Sequence, residues 1–259
     1  MKYLSLFLSM LIYSSSFGSV VILNGLTHIH AAIAGEVTMG KISVQNNGSR
    51  DEKIIIYQED LLLSCDRKTV YEKVNSHTRS SANWLNLNVN EKVLKPNEIY
   101  DIRYSVNVPS QKGIQGSYWS IIMIEGVSPI KEEVESGVKI DSKVRYAIQV
   151  INNVGNVVNG VLSFENIALD TREKALKVID VKLKNGGLFL AKAKITVEIY
   201  DMAGRKVKIL KSVERKIYPE KCTHFEVEVK DLPKGTYNGI VIADNGKDLF
   251  GSNLTLEIE

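Results

Sequence analysis

Lys139-Ile-Asp-Ser-Lys-Val-Arg-Tyr-Ala-Ile-Gln-Val-Ile151 alternates with a period of two. Ile140, Val144, Tyr146, Ile148 and Val150 share one face, whereas Lys139, Asp141, Lys143, Arg145 and Gln149 share the other. Successive side chains of a strand point to opposite faces, so the stretch reads as one long strand with a buried side and a polar side. The same period appears upstream in Val20-Val-Ile-Leu23, Lys41-Ile-Ser-Val-Gln45, Lys53-Ile-Ile-Ile-Tyr57, the run from Tyr100 to Val108, and Tyr118-Trp-Ser-Ile-Ile-Met-Ile124. These runs are short and rich in β-branched and aromatic residues, which suit a pleated, half-buried surface. Polar turn clusters separate them at Asn46-Asn-Gly-Ser49, Lys95-Pro-Asn-Glu98 and Pro109-Ser-Gln-Lys-Gly113. Ser128-Pro-Ile-Lys-Glu-Glu-Val-Glu-Ser-Gly137 reads as a charged hairpin loop.

Past Ile151 the chain enters Asn152-Asn-Val-Gly-Asn156, a turn-rich stretch that marks a domain boundary. The second half repeats the style without repeating the sequence. Strand-like runs recur at Leu162–Phe164, Leu176–Leu183, Lys194–Tyr200, His224–Val229, Tyr237–Ile242 and Leu254–Ile258. Between them lie Asn185-Gly-Gly187, Met202-Ala-Gly204, Pro233-Lys-Gly235 and Asn245-Gly246. Many short strands with polar turns and no long amphipathic helix indicate an all-β chain of two tandem immunoglobulin-like β-sandwiches. The expected limits are 20–153 for the first and 157–259 for the second.

Residues 1–19 stand apart from this pattern. Lys2 supplies a positive start, Leu4 to Ile12 an apolar run, and Ser14-Ser-Ser-Phe-Gly-Ser19 small residues at cleavage-like spacing. The expectation is a signal peptide, cut near Gly18 or Ser19, and hence a periplasmic or secreted protein. The apolar run is shorter than the roughly 20 residues a membrane span requires. No cysteine follows it to signal a lipid anchor, and no second apolar run appears, so no transmembrane anchor is expected. Apolar residues make up 44% of the chain and charged residues 24%, a balance that does not indicate disorder. A formal net charge of +3 on dispersed basic residues gives no reason to expect a nucleic-acid partner.

Cys65 and Cys222 are the only cysteines and lie in different halves. Immunoglobulin-like domains usually seal their cores within one domain, so two unpaired thiols are expected. The alternative, a Cys65–Cys222 link, would need Cα atoms within ~7 Å across the domain junction. Such a link would replace a hinged pair of domains with a docked one.

The motifs of catalysis are missing: there is no G-x-S-x-G, phosphate loop, H-E-x-x-H or dinucleotide fingerprint. The chain therefore reads as a non-enzymatic binding protein without a cofactor. The histidines show no spacing with cysteine that signals zinc, so no metal site is expected. His28 and His30 would share one strand face, where they could hold a metal, sense pH or simply pack. Glu59-Asp60 and Glu132-Glu133 are adjacent acids that point to opposite faces, and both pairs read as solvated charge.

Several stretches of the first half resemble the N-terminal domain of PapD-like periplasmic pilus chaperones. They are Gly40-Lys-Ile-Ser-Val-Gln-Asn-Asn47, Leu94-Lys-Pro-Asn-Glu98, Gly116 to Glu125 and Ser142-Lys-Val-Arg-Tyr146. The resemblance implies a chaperone that binds exposed β-strands or extended segments of exported proteins. In that family the last strand of the first domain donates alternate apolar residues, and basic residues anchor the client's terminal carboxylate. By position Val138 and Ile140 would donate, Arg145 would anchor, and Lys143 would lie beside it. No Arg or Lys lies between Val20 and Gly35 to supply the second anchor. The same half is similar to the immunoglobulin-like modules of WxL-interacting surface proteins. That likeness implies the alternative of a structural or adhesive cell-envelope module. In the second half, Val197 to Val207 and Asp231-Leu-Pro-Lys-Gly-Thr-Tyr237 are similar to the sorting domains of type IX secretion cargo.

Overall fold

The computed structural model describes residues 20–66, 68–127, 130–133, 139–158, 160–173 and 176–258. The expected signal peptide and Val138 lie outside them. Strands and turns account for nearly all of the described chain, as the period of two requires. The first sandwich begins with β1 (Val20–Ile22), β2 (Thr27–Ala32), β3 (Val37–Asn46), β4 (Glu52–Leu63) and β5 (Thr69–Glu72). After a short 3-10 turn at Ala82–Trp84 come β6 (Leu85–Leu87), β7 (Glu91–Leu94), β8 (Ile99–Asn107) and β9 (Gly116–Gly126). A two-stranded ribbon follows, β10 (Ile130–Glu133) against β11 (Lys139–Ser142), and then β12 (Arg145–Val154). The second sandwich holds β13 (Leu162–Thr171), β14 (Lys177–Asn185), β15 (Ala191–Tyr200) and β16 (Lys206–Lys211). It closes with β17 (Arg215–Ile217), β18 (Cys222–Glu228), β19 (Gly235–Asp244) and β20 (Leu249–Ile258).

In the first sandwich a sheet ordered β1-β3-β8-β6 faces a larger one ordered β2-β12-β9-β4-β5, with β7 beside β4. Ile42, Ile54, Ile102, Ile122, Ile124 and Ile148 meet between them, all fully buried. In the second, β13-β14-β18 faces β16-β15-β19-β20, with β17 beside β15. There Ile179, Val181, Ile195, Val197, Phe225 and Val241 form a separate core. Each apolar set falls on alternate residues of its strands, so each sheet presents one dry face to its partner.

The long strand expected from Lys139 to Ile151 is broken. Strand β12 begins at Arg145, and Lys139–Ser142 turns back on Ile130–Glu133 as the ribbon. Its neighbour β9 ends at Gly126, so nothing of the sandwich remains for Lys139–Ser142 to pair with. Of the charged hairpin loop expected at 128–137 only Ile130–Glu133 is described, as one strand of this ribbon, and the rest lies outside the described residues.

The larger departure concerns the cysteines. Cys65 and Cys222 are disulfide-bonded, with Cα atoms 4.7 Å apart across the two sandwiches. The expectation of free thiols and hinged domains is therefore overturned. The reason lies on the outer face of β9. Trp119, Ile121 and Met123 alternate with Ile122 and Ile124, and they too are buried. With Leu61 and Ile151 they form a third apolar cluster, completed by Tyr218 and Leu190 from the second sandwich. The Trp119 and Tyr218 rings meet edge-on at 4.8 Å between centroids. Burial of one such aromatic pair contributes ~0.5–1.5 kcal/mol beyond its area. An apolar run on both faces of a strand is the mark of two-sided burial.

The disulfide joins residues 157 apart in sequence. In the chain-entropy account a loop of this size stabilises the folded state by roughly 5 kcal/mol, if the two sandwiches unfold together. Reduction, or the Cys65→Ser/Cys222→Ser pair, should lower the denaturant midpoint by an amount equivalent to roughly 3–5 kcal/mol. Equal chemical melts of oxidised and reduced protein would show that the apolar contact alone fixes the domains.

Candidate functional site

The segment from β17 to β18, which crosses from one sheet of the second sandwich to the other, carries most of the polar contacts between the sandwiches. Lys216 Nζ donates to Thr27 Oγ1 at 2.7 Å and to Gln149 Oε1. The Tyr218 hydroxyl donates to the same Gln149 oxygen at 2.9 Å. Arg79 pairs with Glu220 at 3.2 Å. One His224 nitrogen lies 3.0 Å from the Cys65 carbonyl, and the other faces the Asp180 carboxylate at 3.0 Å. Nearby, Ser117 N–H donates to the Leu188 carbonyl at 2.8 Å, and Leu190 N–H donates to Ser117 Oγ at 2.6 Å.

Between this segment and the first sandwich lies a cleft of about 830 Å³, lined by Lys216, Lys192, Arg215, Lys68, Ile29 and Leu63 among others. Its acids are engaged: Glu214 pairs with Lys192 at 3.6 Å, and Glu226 with Arg172 at 3.0 Å. Lys216 is different. Its ammonium is half-buried and rests on neutral oxygens, and among the described residues no carboxylate pairs with it. Burial lowers its pKa, and the charge of Lys192 pushes in the same direction. A cation held this way is a ready site for an incoming anion.

The cleft meets an unfinished sheet edge. Strand β2 runs parallel to β12 only from Thr27 opposite Gln149 to Ala32 opposite Val154. Gln149 N–H already bonds Leu26 O on that side. Val144 O turns the other way, to Gly126 N. By alternation the backbone groups of Arg145 and Ala147 point outward, and among the described residues no strand pairs with them. This open edge is ~13 Å long and ends at Gln149, where Lys216 sits.

Of the residues singled out from sequence, Arg145, Lys143 and Ile140 are described, and they do not converge on this edge. Arg145 opens β12, exposed, opposite Glu125. Its Nη1 contacts the Tyr57 hydroxyl at 3.4 Å, and that hydroxyl donates to Glu125 at 3.1 Å. The Tyr57 contact, with Glu59 and Glu125 behind it, holds the guanidinium all the more firmly protonated. Lys143 lies 3.6 Å from the other Glu125 oxygen. Lys143 thus has a carboxylate partner and Arg145 has carboxylates nearby, whereas among the described residues no carboxylate pairs with Lys216. Ile140 sits in the ribbon, opposite Glu132. The reading of Asp60 as solvated charge is also corrected. Asp60 is fully buried and accepts from Ser76 N–H at 2.8 Å and from Ser80 Oγ at 2.7 Å, which ties down the loop before the 3-10 turn.

Sequence reasoning missed Lys216, which lies 189 residues from Thr27. The available signal was Cys222, six residues on: pairing it with Cys65 would have brought Lys216 to the first sandwich.

Comparisons with known proteins address the two halves differently. Residues 175–249 match the family described as the secretion system C-terminal sorting domain. Both stretches that resemble sorting domains, Val197–Val207 and Asp231–Tyr237, lie inside that match. Among solved structures the chain is similar to pilus chaperones. The YadV chaperone is 10% identical with a TM-score of 0.49, over 92% of this chain and 100% of that one. The CsuC–CsuE chaperone–tip subunit complex of Acinetobacter baumannii pili gives 12% identity and a TM-score of 0.47, over 91% and 98%. A protein of unknown function from Porphyromonas gingivalis gives 14% and 0.33, over 93% and 100%. At such identities the likeness is one of fold. No curated protein matches by sequence.

The environment of Lys216 makes a direct prediction. Replacing a half-buried, unpaired charge by an apolar side chain of similar length removes a desolvation cost, and Tyr218 still satisfies Gln149. Lys216→Met should melt no lower than the wild type in calorimetry. A clear drop in melting temperature would mean that the ammonium serves the fold.

Proposed function

We propose that this protein is exported and binds an extended segment of another exported polypeptide at the open edge of β12. The observation that carries this reading is the coincidence of two features: among the described residues no strand pairs with the outward side of Arg145–Ile148, and that edge ends at the ammonium of Lys216, which no described carboxylate pairs with. Strand addition takes affinity from main-chain hydrogen bonds and specificity from alternate side chains. Arg145 and Ala147 supply the outward backbone groups, and Lys216 receives a carboxylate at the end of the added strand. Arg145, with its charge already shared, acts chiefly through its backbone. The reading is of a binder rather than an enzyme. A disulfide between the sandwiches fits an oxidising compartment outside the cytoplasm.

The test is fluorescence anisotropy with an extended, β-branched peptide ending in a free carboxylate, beside its amide-capped twin. The expected outcome is saturable binding to the wild type. Binding should weaken ~10–100-fold in Lys216→Met, the scale of a lost charged hydrogen bond, with a similar loss for the amide. Ala147→Pro, which removes an outward N–H, should also weaken it, and Arg145→Ala should matter less. No binding by the wild type, or equal binding by Lys216→Met, would overturn the reading.

The match over residues 175–249 favours a second reading, in which the second sandwich directs the chain to a secretion system. Fractionation of the producing cells separates the two: release to the surface or medium supports sorting, and retention in the periplasm supports the binder.

A further inference from the structure

The cleft holds a second cation beside Lys216. Strand β17 pairs antiparallel with the start of β15, and Lys216 stands directly opposite Lys192. Directly opposed residues of such a pair send their side chains to the same face, with Cβ atoms about 4.5–5.5 Å apart. The adjoining pair, Ala191 opposite Ile217, points the other way, into the core of the second sandwich. Both ammoniums therefore project out of that sandwich, and both line the cleft against the first. Like charges set directly opposite each other destabilise a sheet. The charge of Lys192 does act on Lys216, adding to the burial that already disfavours its ammonium.

The cleft does little to relieve this conflict. Lys68 and Arg215 add cations to its lining, and among the described residues its only carboxylates are Glu214 and Glu226. Glu226 pairs with Arg172 at 3.0 Å. Glu214 lies 3.6 Å from Lys192 Nζ, too far for a hydrogen bond, and the two side chains are 61% and 52% exposed. An exposed ion pair of that kind contributes little and yields to a better one. Lys216 donates to the neutral oxygens of Thr27 and Gln149. The end of the open edge thus presents two neighbouring ammoniums, one without a described carboxylate partner and one with a loose partner. One incoming carboxylate answers only one of them. A terminal Asp or Glu brings two, on the α-carbon and on the side chain, within the span that two opposed lysines can grip.

On the reading that Lys216 receives a client's terminal carboxylate, we propose that Lys192 selects clients whose last residue is acidic. Lys216 takes the α-carboxylate, and Lys192 exchanges Glu214 for the side-chain carboxylate. The doubly charged end then relieves the repulsion between the two lysines, which a client with a neutral last residue leaves half in place. Sequence spacing hides the pair, because Lys192 and Lys216 lie on strands that β16 separates along the chain.

The test compares two fluorescent peptides by anisotropy at low ionic strength. They share one extended, β-branched sequence and a free α-carboxylate, and they end in Glu or in Gln. The wild type should bind the Glu-ending peptide ~3–5-fold more tightly, the scale of an exposed ion pair. That preference should shrink as salt screens it. Lys192→Met should bind the two peptides alike, and Lys192→Arg should keep the preference. Lys68→Met, which removes an equal charge from the same cleft, should keep most of it. Melts of each variant confirm folding before titration. Equal binding of the two peptides by the wild type, a preference that survives in Lys192→Met, or an equal loss in Lys68→Met would overturn the role of Lys192 and leave strand addition at β12 standing. Binding of neither peptide would overturn both.

Discussion

Burial of β9 on both faces is the constraint on which the rest depends. One face, through Ile122 and Ile124, closes the first sandwich; the other, through Trp119, Ile121 and Met123, needs a cover that the first sandwich cannot supply. The second sandwich provides it with Tyr218 and Leu190. Once Tyr218 is seated on Trp119, the segment from β17 to β18 is fixed over the sheet. Cys222 then lies beside Cys65, and Lys216 lies against Gln149. The cleft, its cation and its disulfide all follow from where one apolar face had to go.

That docking also explains why charge is distributed unevenly along the outer face of β12. At the far end Arg145 is exposed and compensated by Glu125 and Tyr57. Nearer the junction Gln149 accepts from two donors of the second sandwich, and one of them is a charged ammonium with no counter-ion among the described residues. An unpaired, half-buried charge costs stability and persists where something else benefits from it. The open backbone beside it would supply the rest of the proposed peptide-binding edge, and this is why the cleft, rather than Arg145 alone, is the centre of the functional reading.

Much of the architecture was legible in the sequence. Alternation gave the core strands β3, β8, β14, β15 and β19, because one-sided burial writes a period of two directly into the residues, and the β-branched and aromatic run Tyr118–Ile124 gave β9. The break at Lys143 was not legible, since Lys139–Ser142 keeps the alternation although it pairs only with the ribbon. Asp60 was misread because adjacent acids look alike, and only the fold shows that Ser76 and Ser80 close over one of them. The disulfide was weighed and set aside on the habit of separate domains. The stronger signal was Trp119-Ser-Ile-Ile-Met-Ile124, apolar on both faces, which already asked for a second partner. The candidate site was the least visible feature. Its lysine and its open edge belong to different sandwiches, and an open edge is an absence of pairing that no residue type announces.

The central claim is that the outward backbone of Arg145 and Ala147 is free in the isolated protein and is where a partner strand adds. Residue-resolved amide hydrogen exchange, with and without an extended acidic peptide, tests it most directly. The account predicts fast exchange at Arg145 and Ala147, slow exchange at Tyr146 and Ile148, and protection of the first two once the peptide binds. Slow exchange at Ala147 in the free protein, or no change there when peptide is bound, would contradict it.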